Sequence, residues 1–143
     1  TQPKKTRSSS TRDQRIHNHG RTAVSDIIRY QADPATCWKT STDIPMESFT
    51  TDDSTERGRL YFATDDESVL TGVWECAPSK MTFESYPVHE MMTVLAGSVT
   101  VTNHDNDSAE TFKAGDTFFV SKGSRFTWEI TETLRKYYFI VSR

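Results

Sequence analysis

The chain has 143 residues, a length that suits one domain with one hydrophobic core. Residues 1–21 hold six basic residues and one acidic residue, a net charge of +5, so the total of −3 leaves −8 on the rest of the chain. A body this acidic argues against a nucleic-acid-binding barrel, because binding phosphates requires a basic face.

No run of apolar residues approaches the roughly 18 that a membrane-spanning helix needs, and no apolar segment follows the basic start as it would in a secretory signal. Cys37 and Cys76 lie far apart in unrelated sequence contexts, so a disulfide framework is not indicated. We therefore expect a cytoplasmic protein whose partners include neither a membrane nor a nucleic acid.

The first part of the chain lacks the apolar periodicity of a core element. Residues 1–21 are rich in Ser, Arg and Lys, which predicts a basic disordered tail. Residues 22–57 contain prolines, many polar residues and isolated large side chains such as Trp38 and Phe49. This composition predicts a loop-rich arm that packs on the following domain through a few aromatic anchors.

From residue 58 onwards the chain changes to short β-rich segments separated by turns. Polar or glycine-containing turns at 64–67, 103–107 and 114–116 divide the segments at regular spacing, and helical periodicity is absent. About eight short strands are predicted between Arg59 and Val141. This pattern favours an all-β fold, an antiparallel barrel or jelly roll over residues 58–143.

Two segments of this β-rich region match motifs of a known family. Six residues separate Glu90 from Gly97, and Gly115-Asp116 is followed by Lys122-Gly123. In these features the sequence resembles the cupin superfamily, whose RmlC-like fold is a double-stranded β-helix jelly roll. Within it, the sequence is most similar to the cupin domain of (S)-ureidoglycine aminohydrolase. That narrower resemblance rests on the segments Gly72–Cys76, Thr127–Glu129 and Arg135–Tyr138.

The resemblance also indicates where a metal ion would be held. The ligand positions of the family motifs fall here on Glu84, Tyr86, Glu90 and Phe126, and none of them is histidine. Two carboxylates without imidazole favour a weakly held hard ion such as Mn²⁺, Mg²⁺ or Ca²⁺.

His89 is a further weak candidate for a metal ligand. Because it adjoins Glu90, a regular strand would point it to the opposite face of the sheet, at the barrel surface or a dimer interface. A bulge at Pro87 would instead turn it inward.

The same stretch predicts a ligand cavity. Glu84, Tyr86 and Glu90 share one strand face if the register holds, as do Phe126 and Trp128. Glu84 and Glu90 are the candidate catalytic residues, as an acid/base pair in which one pKa is raised by the neighbouring charge. Alternatively, the two carboxylates bond Tyr86, Lys136 or Arg125 and perform no chemistry. The candidate ligand-binding residues are Trp74, Tyr86, Phe126, Trp128 and Tyr138, although the aromatic residues also fit a purely structural core.

Two functional hypotheses follow from these residues and from the resemblance. In the first, the protein is a small-molecule-binding cupin that acts as an enzyme on a nitrogen-rich metabolite, with a degenerate metal site. In the second, it is a non-catalytic cupin module that binds a ligand or serves as a dimeric partner. The resemblance also implies a homodimer.

Overall fold

The structure is a computed structural model that describes residues 27–143, so the predicted tail 1–21 and the first residues of the arm lie outside the described residues. Eight strands and one short 3-10 helix, Met46–Ser48, make up the regular structure of this part. The strands are β1 (Lys39–Thr40), β2 (Glu56–Ala63), β3 (Val69–Cys76), β4 (Ser79–Phe83), β5 (His89–Asn103), β6 (Ser108–Lys113), β7 (Thr117–Val120) and β8 (Phe126–Val141).

All strand pairs are antiparallel, and β5 and β8 run through the whole fold. The second half of β8 and the first half of β5 pair with each other and are flanked by β3, β2 and β1 on one side and by β7 on the other. The first half of β8 and the second half of β5 are flanked by β4 and β6. These are the two faces of the predicted all-β cupin jelly roll, and the prediction of the fold is confirmed.

Gly97 lies in a bulge within the continuous strand β5. The register between β5 and β8 shifts at Val94, Ala96 and Ser98, and Gly97 has φ +73°. A Cβ at Gly97 would lie 2.1 Å from the carbonyl oxygen of Thr133 on β8, so the close approach of the two strands requires glycine. The bulge lets one long strand pass from the first face to the second.

The core lies between the two faces, where alternate side chains of the long strands point inward. Its fully buried members include Met92 and Val94 from β5 and Ile130 and Leu134 from β8. Cys76 belongs to this core, whereas Cys37 is exposed, and both are free thiols.

The arm lies against the outer face of β2, β3 and β8. The ring of Tyr30 stacks on that of Tyr61 at 4.5 Å, and its hydroxyl is 2.5 Å from the hydroxyl of Thr71. Farther along the arm, the guanidinium groups of Arg57 and Arg135 lie over the ring of Trp38. The arm then adds the short strand β1 to the edge of β2, so it contributes to the sheet as well as packing on it.

Within residues 27–143, no helix is long and apolar enough to span a membrane.

Candidate functional site

A cavity of about 530 Å³ opens next to the arm. It lies on the inner side of the face that contains β1, β2, β3 and β7. We call this cavity the cup. Its lining consists mainly of apolar and aromatic side chains with few charged groups, as is common in small-molecule sites. The lining residues are Ser41, Asp43, Ile44, Gly58, Leu70, Trp74, Phe83, Tyr86, Pro87, Val88, Glu90, Trp128, Lys136, Tyr138 and Ile140.

A buried ion pair forms the polar centre of the cup. The ammonium group of Lys136 donates a hydrogen bond of 2.6 Å to Oε2 of Glu90, and the hydroxyl of Tyr86 donates one of 2.9 Å to Oε1. Glu90 is 3% exposed and Lys136 is 7% exposed. Two charges this far from solvent are stable only when they are paired and hydrogen-bonded, as they are here.

The strand register explains why these groups meet. Lys136 on β8 is the pairing partner of Trp74 on β3 and of Val94 on β5, so these three side chains occupy one row of the inner face. Glu90 lies on the same face of β5, farther along the strand. The long lysine side chain therefore spans the rows between Val94 and Glu90.

Two indole rings flank the ammonium group. Nζ of Lys136 is 4.9 Å from the centroid of the Trp74 ring and 4.9 Å from that of the Trp128 ring. This distance permits cation–π attraction to both rings. The rings thus hold the cation in place and also form two walls of the cup.

Glu84 lies outside the cup, and the prediction that it shares a cavity with Glu90 was wrong. Its side chain is 79% exposed and pairs with Arg125, with 3.4 Å between Oε2 and Nε. Residues 84–88 form a loop between β4 and β5, so the two-residue alternation of a strand does not extend from Glu90 back to Glu84. The observed contacts are those of the alternative: Glu84 pairs with Arg125, and Glu90 contacts Lys136 and Tyr86.

The candidate ligand-binding residues fall into two groups. Trp74, Tyr86, Trp128 and Tyr138 all line the cup. Phe126 does not: it is 3% exposed and packs behind the cup, with its ring 5.2 Å from that of Tyr86. Phe126 is therefore a core residue, which is the alternative that the sequence left open for the aromatic side chains.

His89 lies on the face of β5 opposite to Glu90. Its Nδ1 accepts a hydrogen bond of 3.0 Å from the backbone N–H of Lys122, and its ring stacks on that of Phe119. Pro87 does not turn the imidazole inward, so His89 is no part of the cup.

Two acidic residues of the site were missing from the sequence-based candidates. Glu56 is 3% exposed and accepts hydrogen bonds from Trp74 Nε1 at 2.9 Å and from the backbone N–H groups of Ile44 and Asp43. It therefore fixes one wall of the cup to the arm. Asp43 itself is exposed at the mouth of the cup. No local pattern distinguishes either residue, since both lie in a polar segment and act through folding of the arm.

The two tyrosines of the cup, Tyr86 and Tyr138, stay protonated to a higher pH than an ordinary tyrosine does. Burial and the charge of Glu90 raise the pKa of Tyr86. Burial, followed by the charges of Glu90 and Asp43, raises the pKa of Tyr138 to about 12. Both hydroxyls are thus neutral hydrogen-bonding groups at physiological pH.

These residues do not fit a metal ion held as in other cupins. Of the four motif positions, Glu84 is outside the cup, Phe126 has no donor atom, and Glu90 already binds an internal cation, the ammonium of Lys136. Within residues 27–143, no three His, Cys, Asp or Glu side chains are close enough together to hold an ion. The donor set of the cup is therefore not that of a cupin metal centre.

Comparisons with known proteins agree with this fold. The chain is 23% identical to a protein of unknown function of the DUF861 family from Pseudomonas syringae, with a TM-score of 0.68, over 78% of this chain and 46% of that one. It is 20% identical to the putative ethanolamine utilization protein EutQ of Salmonella typhimurium, with a TM-score of 0.52, over 62% and 70% of the two chains. At these identities the likeness concerns the fold alone.

A shorter match has higher identity. The chain is 47% identical over 45 residues to a pyrimidine/purine nucleoside phosphorylase of Laribacter hongkongensis. The match spans 32% of this chain and 44% of that protein, so this chain covers less than half of the relative's length. The narrower resemblance to ureidoglycine aminohydrolase stays a prediction.

Residues 63–138, more than half of the chain, match the family of EutQ-like cupin domains. With the jelly roll and the cup at its centre, the protein belongs to the EutQ-like cupin domain family.

Proposed function

We propose that the cup binds a small nitrogen-rich molecule, and that it does so through the Glu90–Lys136 pair without a metal ion. The observation that carries this proposal is the buried pair itself, which lies in the wall of a cavity of about 530 Å³. A buried ion pair is a poor means of stabilising a fold, because removing two charges from water costs about as much as their attraction returns. A role in recognition accounts for its presence in the cup.

The pair offers a ligand both kinds of hydrogen bond. Each carboxylate oxygen of Glu90 accepts one bond, from Tyr86 or from Lys136, and keeps a lone pair for an N–H donor of the ligand. The ammonium of Lys136 carries three protons, of which one is directed at Glu90 and one at the sulfur of Met92, 3.0 Å away. A compound with neighbouring N–H and C=O groups would match this arrangement.

The walls favour a flat or compact ligand. Trp74, Trp128 and Tyr138 present aromatic surface to the cavity. Aromatic walls with a few fixed polar groups bind mainly by burying apolar area and use the polar groups for orientation. A nitrogen-rich ligand of this kind is in keeping with the relative from Laribacter hongkongensis, which is a pyrimidine/purine nucleoside phosphorylase.

Of the two hypotheses drawn from the sequence, an enzyme and a non-catalytic module, this proposal favours the second. The acid/base pair of Glu84 and Glu90 would require both carboxylates in the cavity, and Glu84 pairs with Arg125 outside it. We therefore propose a ligand-binding cupin, in which Glu90 and Lys136 are binding residues. The homodimer implied by the resemblance remains part of the proposal.

A thermal-shift screen of chelator-treated protein tests this function. The panel should contain ureides, nucleobases, amines, carboxylates and sugars, and hits should be titrated by calorimetry. We expect hits among the nitrogen-rich compounds, with affinity lost in the double variant Glu90→Gln/Lys136→Met, which removes both charges of the pair.

Glu84→Gln is the matched control, because it makes the same carboxylate-to-amide change outside the cup. Unchanged affinity in this control, together with a loss in the double variant, supports the proposal. Hits confined to carboxylates or sugars, or undiminished binding in the double variant, would refute it.

A further inference from the structure

We infer that Asp43, supplied by the arm, gives the cup a preference for ligands whose outer end carries a positive charge. This inference rests on the proposed function, that the cup binds a small molecule. It adds the charge of the ligand and the residue that selects it.

The cup is lined by few charged side chains. Among its described lining residues only Asp43, Glu90 and Lys136 are charged. Glu90 and Lys136 neutralise each other through a contact of 2.6 Å, which leaves the charge of Asp43 uncompensated by the lining. Glu56 adds a second negative charge immediately behind the Trp74 wall, where it accepts the indole N–H. The cavity as a whole is therefore negative.

The position of Asp43 is fixed rather than incidental. Its Oδ2 accepts a hydrogen bond of 3.0 Å from the hydroxyl of Ser41, which also lines the cup. Its backbone N–H donates to Oε2 of Glu56 at 3.3 Å, and the N–H of Ile44 donates to Oε1 at 2.8 Å. A buried carboxylate on β2 thus holds the peptide that carries Asp43 at the rim of the cavity.

The negative charge of Asp43 acts on groups inside the cup. It contributes to raising the pKa values of both Tyr86, on the loop before β5, and Tyr138, on β8. A cation at the mouth would be attracted by this carboxylate and by the faces of the neighbouring aromatic rings. An anion would face the same field with the opposite sign.

The ion pair determines which end of the ligand is charged. A second cation beside Lys136 would be repelled by its ammonium group, which already occupies the space between the two indole rings. The positive group of a ligand would accordingly lie at the mouth, near Asp43, with its polar uncharged part near Glu90. The chemical class is a compact organic cation, such as an amine or amidine, with a neutral body.

Three probes of nearly equal shape test the inference: cyclohexylmethylammonium, cyclohexylmethanol and cyclohexanecarboxylate. The chain has three tryptophans, and replacing Trp38 by Phe leaves only the two of the cup as fluorescent reporters. All titrations use this Trp38→Phe protein at neutral pH and low salt, followed by tryptophan fluorescence.

We expect the ammonium probe to bind about three- to tenfold more tightly than the alcohol, as for one partly solvated charge pair, and the carboxylate to bind least tightly. Asp43→Asn should bring the ammonium and alcohol affinities to within about twofold, with the alcohol unchanged. Asp105→Asn, the same change at an exposed position in the turn between β5 and β6, should leave the ratio unaltered.

The outcomes separate the two proposals. If the alcohol binds but the ammonium probe has no advantage, or if Asp43→Asn leaves the advantage intact, the inference about Asp43 is overturned and the cup remains a binding site. If none of the three probes changes the fluorescence at millimolar concentration, the inference about Asp43 is overturned, whereas the proposed function is decided by the thermal-shift screen.

Discussion

The two glutamates of the cupin motif region differ in their surroundings more than in their sequence context. Glu90 is buried with Lys136 and Tyr86 as its partners, whereas Glu84 is an exposed member of a surface pair with Arg125. A buried charge that loses its partner is strongly destabilising, while a solvent-exposed ion pair contributes little.

Glu90→Gln should therefore lower the free energy of unfolding by about 3–5 kcal/mol, because the ammonium of Lys136 would be left buried without its counter-charge. Glu84→Gln should change it by less than about 1 kcal/mol. Urea denaturation followed by circular dichroism measures both.

The double variant Glu90→Gln/Lys136→Met completes this comparison. Since it leaves no buried charge, it should recover most of the stability lost in Glu90→Gln. Equal destabilisation by Glu90→Gln and Glu84→Gln would mean that the ion pair is not buried as described.

At the scale of elements, β5 and β8 connect the two faces of the jelly roll, and their bend depends on Gly97. Two separate obstacles exclude a side chain there: the positive φ, and the 2.1 Å that would separate a Cβ from the carbonyl oxygen of Thr133. Gly115 also has a positive φ, +94°, but a Cβ there would meet nothing within 4 Å.

Gly97→Ala should destabilise the protein by about 1 kcal/mol for the backbone conformation and by roughly 1–3 kcal/mol more for the steric overlap. Gly115→Ala should incur only the first of these costs. The difference between the two variants in thermal or urea unfolding isolates the close approach of β5 to β8, and similar losses in both would contradict it.

The elements also show how far the sequence could lead. The strands between Arg59 and Val141 were predictable because β-rich runs and turn residues alternate locally, and so was the inward direction of Trp128 and Tyr138. The loop at residues 84–88 was not, because a proline-containing connection resets the alternation of side chains. That β5 continues through Gly97 could not be predicted either, since a bulge glycine and a turn glycine look alike in sequence.

The components of the cup come from distant parts of the chain. Lys136 was foreseen only as one of three alternative partners of the carboxylates, because its row on β8 depends on the register with β3 and β5. Glu56 and Asp43 meet the cup only after the arm has folded over it. Residues that act through long-range packing carry no local signal, which is why the fold was more predictable than the site.

At the scale of the whole molecule, buried acidic groups should make the fold sensitive to alkali. The pKa of Tyr138 is raised to about 12 and that of the Cys76 thiol, by burial, to about 12, while their ordinary values are 10.0 and 9.0. The folded protein therefore binds more protons than the unfolded chain at high pH, so stability falls as pH rises through this window.

We predict that the free energy of unfolding declines between about pH 9 and pH 12, and that the decline is shallower in Tyr138→Phe, which has no phenol to ionise. Urea titrations at several pH values measure the slope for each protein. Equal slopes in the variant and the wild type would show that the hydroxyl of Tyr138 is not shielded in the folded protein.

At the scale of the whole molecule, the central proposal is that the cup binds a small nitrogen-rich molecule through the Glu90–Lys136 pair without a metal ion. The most direct test is to titrate the best nitrogen-rich ligand of the screen into chelator-treated protein by calorimetry, with and without added Mn²⁺. We expect one site per chain with the same Kd in both titrations. Binding that requires the metal ion, or that tightens severalfold when it is added, would contradict the proposal of metal-free binding.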